Sequence, residues 1–226
     1  MRNAKTYDIG TERSVGETNK MIRNTYMLLS MTLVFSAVTA GISMAMNPPF
    51  IVYLASVIGS FIMLFILNKK QNSAAALPMV FAFTGMMGFG LGPLLNHYLG
   101  LPNGADIVMT AMGMTAITFL GLSAFVLSSK KDFSFMGGFL SAGIMVALIA
   151  MVALFVLPMF GVDIGMAHLA LSALVVLLMC GFILYDTSNI VNGHYTNYIM
   201  ATVSLYLNIY NLFVHLMSLL GFMNDD

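Results

Sequence analysis

The chain has 226 residues, is 59% hydrophobic and 8% charged, and carries no net charge. A mean hydropathy of +0.91 excludes a water-soluble domain of this size and indicates a polytopic membrane protein. Zero net charge gives no electrostatic reason to bind nucleic acid or an acidic substrate.

Residues 1–23 hold Arg2, Lys5, Arg13, Lys20 and Arg23 with Asp8, Glu12 and Glu17. They lack an apolar face and are expected to form a mobile cytoplasmic tail. No cleavable signal peptide is expected, because the first apolar run is longer than a signal core. Apolar runs follow at approximately 25–46, 50–67, 74–95, 105–127, 135–159, 164–185 and 198–222. Each has about the length that a helix needs to cross a bilayer. The expected fold is therefore all-α: a seven-transmembrane-helix bundle, with residues 24–226 as one membrane domain. Asn47-Pro48-Pro49 ends the first run, Gly92-Pro93 ends or kinks the third, and Asn192-Gly193 separates the last two.

The nine Lys and Arg residues all fall in the tail, the 68–73 loop and the 128–134 loop, on one side of a seven-span chain. The positive-inside rule makes that side cytoplasmic and puts the C-terminus outside. Small residues mark close helix contacts: Gly85, Gly88, Gly90 and Gly92 in the third run, Ala111, Thr115, Thr118 and Gly121 in the fourth, and Gly137 and Ser141 in the fifth. Thr25, Thr32, Ser36, Thr39 and Ser43 form a weakly polar face on the first run.

The seventh run is the most patterned. Asn197, Ser204, Asn208, Asn211, His215 and Ser218 recur at helical spacing, opposite Ile199, Tyr206, Phe213, Met217 and Leu220. Lipid offers no partners to a polar stripe, so this helix belongs inside the bundle. The stripe either hydrogen-bonds neighbouring helices or lines a polar path through Ser204, Asn208, Asn211 and His215. The first reading is favoured, because polar contacts between membrane helices are common.

Asp186 is the one acid at the edge of a span with polar company, in Tyr185-Asp186-Thr187-Ser188-Asn189. It is either a hydrated carboxylate at the membrane interface or a functional group. Asp106, Asp132 and Asp163 have ordinary surface roles. No catalytic template fits: there is no His-Glu-x-x-His, no Gly-x-Ser-x-Gly and no second intramembrane acid. Cys180 and the four histidines lack metal-ligand spacing. A calcium site at Asp186, helped by Asn189 and Asn208, would have few oxygens and be weak. No enzyme activity and no cofactor are expected.

Several stretches together resemble the transmembrane Bax inhibitor motif family: Gly92-Pro93-Leu94-Leu95, Leu184–Ile190 and Ser204–Phe213. Arg23–Tyr26, Phe81–Gly85, Lys131–Phe135, Thr196–Ile199 and Ala201–Tyr206 look like a bacterial inner-membrane member of it. The resemblance runs from about residue 20 to the end. It implies a bundle whose seventh helix is central. It also implies two functions. Bacterial members bind the membrane-anchored protease FtsH and restrain it, and other members are pH-sensitive calcium leak channels. In the channels one acid ends the sixth helix and a second lies in the seventh. Asp186 matches the first, and the second falls on Asn208, which does not titrate. The resemblance thus implies an Asp186–Asn208 latch whose pH response depends on Asp186 alone. The leading expectation is a protein that binds and restrains an FtsH-type protease. The alternative is a cation leak path gated at Asp186.

Overall fold

A computed structural model describes residues 15–223. It contains seven helices: α1 (Val15–Met46), α2 (Ile51–Lys70), α3 (Ala76–Leu99), α4 (Gly104–Ser129), α5 (Gly137–Val156), α6 (Gly165–Val191) and α7 (Tyr198–Met223). All seven spans are long and apolar enough to cross a membrane. Among the described residues there is no strand. Most of the expected tail lies outside the described residues, as do Asp225 and Asp226. Its last part is not tail, because α1 already begins at Val15. Glu17 in the first turn suits the helix dipole, and Met21 is buried.

α7 is the axis of the bundle. It packs against α1, α3, α4 and α6, while α2 lies outside against α3 and α5 outside against α6. Both faces of α7 are covered. Tyr206, on the side opposite the polar stripe, is only 1% exposed and stacks edge-on against Phe83 of α3. Its hydroxyl meets Ser36 Oγ at 2.7 Å and donates to the Thr84 carbonyl at 3.3 Å. α2 and α5 turn rows of large apolar side chains outward, among them Phe61, Phe65, Phe139 and Ile149. In lipid those rows need no protein cover.

Glycines set the closest approach, between α1 and α3. A Cβ on Gly88 would overlap the Ser36 carbonyl oxygen, and one on Gly92 would overlap the Ser43 hydroxyl. The weakly polar face of α1 is therefore the surface that receives the α3 glycines. α3 runs unbroken through Pro93 to Leu99, so Gly92-Pro93 does not end it. On α4 the buried face is Ile107, Ala111, Thr115, Phe119, Ser123 and Val126. Thr118 and Gly121 are not part of it. Steps of four from Ile107 to Ser123, closed by a step of three to Val126, keep this row on one face, and Thr118 and Gly121 fall beside it. A Cβ on Gly121 would meet nothing within 4 Å. Gly121→Ala is therefore expected to leave the unfolding midpoint in detergent unchanged or slightly raised, by no more than about 1 kcal/mol of stability. Ser141 is likewise exposed, and α5 meets α6 through Gly137, Leu140 and Gly143.

The loops gather at two ends. One end holds loops 71–75, 130–133 and 192–197 with Lys20, Arg23, Lys69, Lys70, Lys130 and Lys131. The other holds loops 47–50, 100–103 and 161–164. Asn47, Asn103 and Lys130 have positive φ of 46°, 57° and 52° at these breaks. Asparagine tolerates that conformation better than most residues. Asn197 closes the basic end twice over. Its side-chain oxygen Oδ1 accepts the Ile199 N–H at 2.8 Å, starting α7, and its side-chain amide donates to Gln71 O at 2.7 Å.

Candidate functional site at the α6–α7 junction

α6 stays helical through Leu184–Val191, so Asp186 sits within its last turns rather than past its end. Four consecutive residues there, Asp186, Thr187, Ser188 and Asn189, are all buried. At 3.6 residues per turn, four successive side chains point all round the helix. Each finds a different neighbour. Thr187 lies 3.4 Å from the Tyr26 hydroxyl of α1 and 3.4 Å from Ser123 of α4. The Ser188 hydroxyl accepts from the Phe133 N–H at 2.8 Å and holds loop 130–133 against α6. Asn189 accepts the His194 and Tyr195 N–H groups on its carbonyl, at 2.8 and 3.2 Å. Its side-chain oxygen lies 3.0 Å from His194 Nδ1.

Asp186 turns to α7. Ser204 and Asn208 stand one turn apart on the same face of α7. Both donate to Asp186 Oδ2, at 2.7 and 2.6 Å. Oδ1 accepts the Tyr195 hydroxyl at 2.9 Å. Tyr195 reaches it because Gly193, at φ 79°, folds loop 192–197 back over the end of α6. Burial, and then the adjacent Asp186 carboxyl, push the Tyr195 phenol well above its usual pKa, so it remains a donor. Asp186 is 2% exposed. Of the two readings open from sequence, the hydrated interfacial carboxylate is thus overturned. Buried polar groups need partners, and this carboxyl has three.

Asp132 and Asp163 each accept a local backbone N–H. Asp132 accepts the Ser134 N–H at 2.8 Å, and that bond, with the Ser134 hydroxyl, holds its carboxyl below the usual range. Asp163 accepts the Gly165 N–H at 3.0 Å at the start of α6. Beside Tyr195 a cavity of about 340 Å³ opens at the basic end, lined by Ser134, Tyr185, Asn189, His194 and Tyr195.

The α7 stripe divides into two clusters. The first is the one at Asp186. The second lies toward the other end, where His215 Nδ1 sits 3.3 Å from Ser172 Oγ of α6. Ser172 donates to Ser218 at 3.2 Å, and Ser218 meets His168 Nδ1 at 3.4 Å. Between them Asn211 donates to the Leu207 carbonyl of its own helix. It joins neither cluster. Of the residues read as a polar path, Ser204 and Asn208 belong to one group, His215 to the other and Asn211 to neither.

A metal reading gains nothing. Among the described residues no three His, Cys, Asp or Glu side chains group together. The oxygens of Asp186 are met by hydrogen donors, whereas calcium needs converging oxygen lone pairs. The weak calcium site expected at Asp186 is therefore not supported.

Comparison with known proteins fits this architecture. The sequence family described as "Inhibitor of apoptosis-promoting Bax1" matches residues 18–225. The chain belongs to this Bax inhibitor family. It is 46% identical over 213 residues to the protein named "Modulator of FtsH protease YccA" of Escherichia coli K12, covering 94% of each chain. It is 48% identical to a membrane protein of Vibrio cholerae, covering 93% of this chain and 92% of that one. A Campylobacter jejuni relative is 35% identical over 92% of this chain.

Within this Bax inhibitor fold, the sequence singled out Asp186, Ser204 and Asn208, and the structure brings all three together. Sequence reasoning missed Tyr195, the third donor. Nothing periodic marks it, because it reaches Asp186 through a loop turn. The hydroxyl contacts of Thr187 and Ser188 were also missed. Four polar residues in a row at the end of an apolar helix were the available signal.

Proposed function

We propose that this chain is a multi-pass inner-membrane protein that binds an FtsH-type membrane protease and restrains its action on other membrane proteins. One observation carries the reading: near-complete, 46% identical correspondence to a protein named as a modulator of that protease. The basic end, with Lys20, Arg23, Lys69, Lys70, Lys130 and Lys131, is assigned to the cytoplasm by the positive-inside rule, which leaves the C-terminus in the periplasm. The N-terminus is then within reach of a cytoplasmic ATPase ring. The bundle behind it, cross-tied between α6 and α7, resists extraction, and an engaged but unextracted protein occupies the protease.

The test has two arms. Crosslinking in native membranes, with and without residues 2–20, is expected to recover the protease only with the full chain. Overproduction is expected to slow turnover of membrane-protein substrates. Unchanged turnover on both overproduction and deletion would overturn the reading.

A second reading, a cation leak gated at Asp186, draws on the basic-end cavity, whose Tyr195 reaches Asp186. Proteoliposomes releasing no calcium at any pH, or equal flux from wild type and Asp186→Asn, would remove it.

A further inference from the structure

α1 and α4 both pack against α7, and between them they leave a crevice of about 600 Å³. Its floor is α7, through Tyr206, Ile209 and Phe213. Its walls run on α1 from Tyr26 to Met44, about 27 Å at 1.5 Å per residue. Met112, Thr115 and Ala116 of α4 face them. The helices that flank it turn Met31, Val38 and Ile42 of α1, and Met109 and Ile117 of α4, outward to the bilayer. The crevice therefore opens sideways into lipid.

Its dimensions select the occupant. Even the whole open space, about 1520 Å³, spread over that length gives a mean cross-section of roughly 55 Å². A helix with side chains, about 10–12 Å across, needs roughly 80–110 Å². A single hydrocarbon chain fits and a transmembrane helix does not. Charge selects the headgroup. Following the crevice wall along α1 toward the basic end, the positions 33, 30 and 26 lead to Arg23, which is exposed. Following α4 in the same direction, the positions 116, 119, 123 and 126 lead to Lys130, also exposed. Tyr26 and Phe119 line the crevice on the two walls, with ring centroids 6.2 Å apart, between its middle and these cations in sequence. Arginine and lysine at that level extend their stems along apolar surface and offer donors to a phosphate.

We propose that the α1–α4 crevice is a binding site for one anionic phospholipid, its acyl chain lying on α7 and its phosphate held by Arg23 and Lys130. This is independent of any protease. It also means that a lipid touches the central helix directly, on the face that carries Tyr206.

The chain contains no tryptophan, so Phe213→Trp provides a sole reporter on the crevice floor, and Ile209→Trp a second should the first fail to fold. The full-length protein is reconstituted into phosphatidylcholine vesicles containing a small fraction of lipid brominated on its acyl chains. Brominated phosphatidylglycerol is expected to quench the reporter at a lower mole fraction than brominated phosphatidylcholine, by about fivefold for each cation that reaches the phosphate. Arg23→Gln with Lys130→Gln should abolish that preference and keep the quenching. Gly41→Leu should remove quenching by both lipids. Gly41 lines the crevice and a Cβ there meets nothing within 4 Å, and an unfolding midpoint equal to the parent's checks that the fold is kept. Equal quenching by the two lipids in the parent chain would mean ordinary boundary lipid and would overturn the proposal. So would no quenching by either, which would mean the crevice is closed to lipid.

Discussion

Asp186→Ala is expected to destabilise the protein by about 3–5 kcal/mol, because it strands the donors of Ser204, Asn208 and Tyr195 around a carboxyl that is only 2% exposed. Each donor left without an acceptor costs about 1–3 kcal/mol, and partial relaxation brings the sum below three full penalties. Asp186→Asn should cost less, about 1–2 kcal/mol. An amide oxygen placed at Oδ2 still accepts from Ser204 and Asn208, and the amide N–H₂ then faces the Tyr195 hydroxyl, which can turn and accept. Unfolding followed in detergent, as midpoint against denaturant, reads both. The order alanine, then asparagine, then wild type is the expected result. Equal midpoints for all three would mean that water enters and replaces the carboxyl at no cost. The latch would then not be what holds the end of α6 to α7.

The second large effect is expected at Gly88. Gly88→Ala adds one methyl group, yet its Cβ would overlap a backbone oxygen, that of Ser36, with the Thr39 and Ser36 hydroxyls close behind. A flexible side chain can swing aside, but a helix backbone cannot. α1 and α3 must separate, and about 2–4 kcal/mol of packing is lost. Thermal inactivation or denaturant unfolding should show a large drop for Gly88→Ala beside little change for Gly121→Ala. Both are glycines in apolar helices, and each exchange adds the same atoms. If the two variants unfold together, helix propensity rather than contact distance governs glycine in this bundle.

Several of the features behind these effects can be read along the chain. Apolar runs of bilayer length give seven helices, because a spanning backbone has to satisfy its own hydrogen bonds. The stripe on α7 announces an interior helix for the same reason. Asp186 is legible as an acid at the end of a span with polar company, and Ser204 and Asn208 as members of the stripe, while the pairing of Asp186 with Asn208 was implied by the family resemblance.

Other features are decided only by packing. The period of α7 suggested one inward face, but four neighbours pack around it, and Tyr206 pairs with Ser36 across the bundle. In lipid an apolar face can point either way, so hydropathy carries no sign for it. The same ambiguity made Thr118 and Gly121 look like a contact and left Ile107 and Val126 unremarked. Small residues permit close approach without requiring it.

What the sequence determined by itself is the membrane class, the helix count, the gathering of positive charge and the place of an acid at the end of the sixth span. These follow from local transfer energies of consecutive residues. The tertiary structure decided which partners meet. It wound loop 192–197 back to bring Tyr195 onto Asp186, split the α7 stripe at Asn211, and parted α1 from α4 to open a crevice on the central helix. Those outcomes depend on the angles and distances between helices. Such angles are fixed by many small contacts at once and are written in no single stretch of the chain.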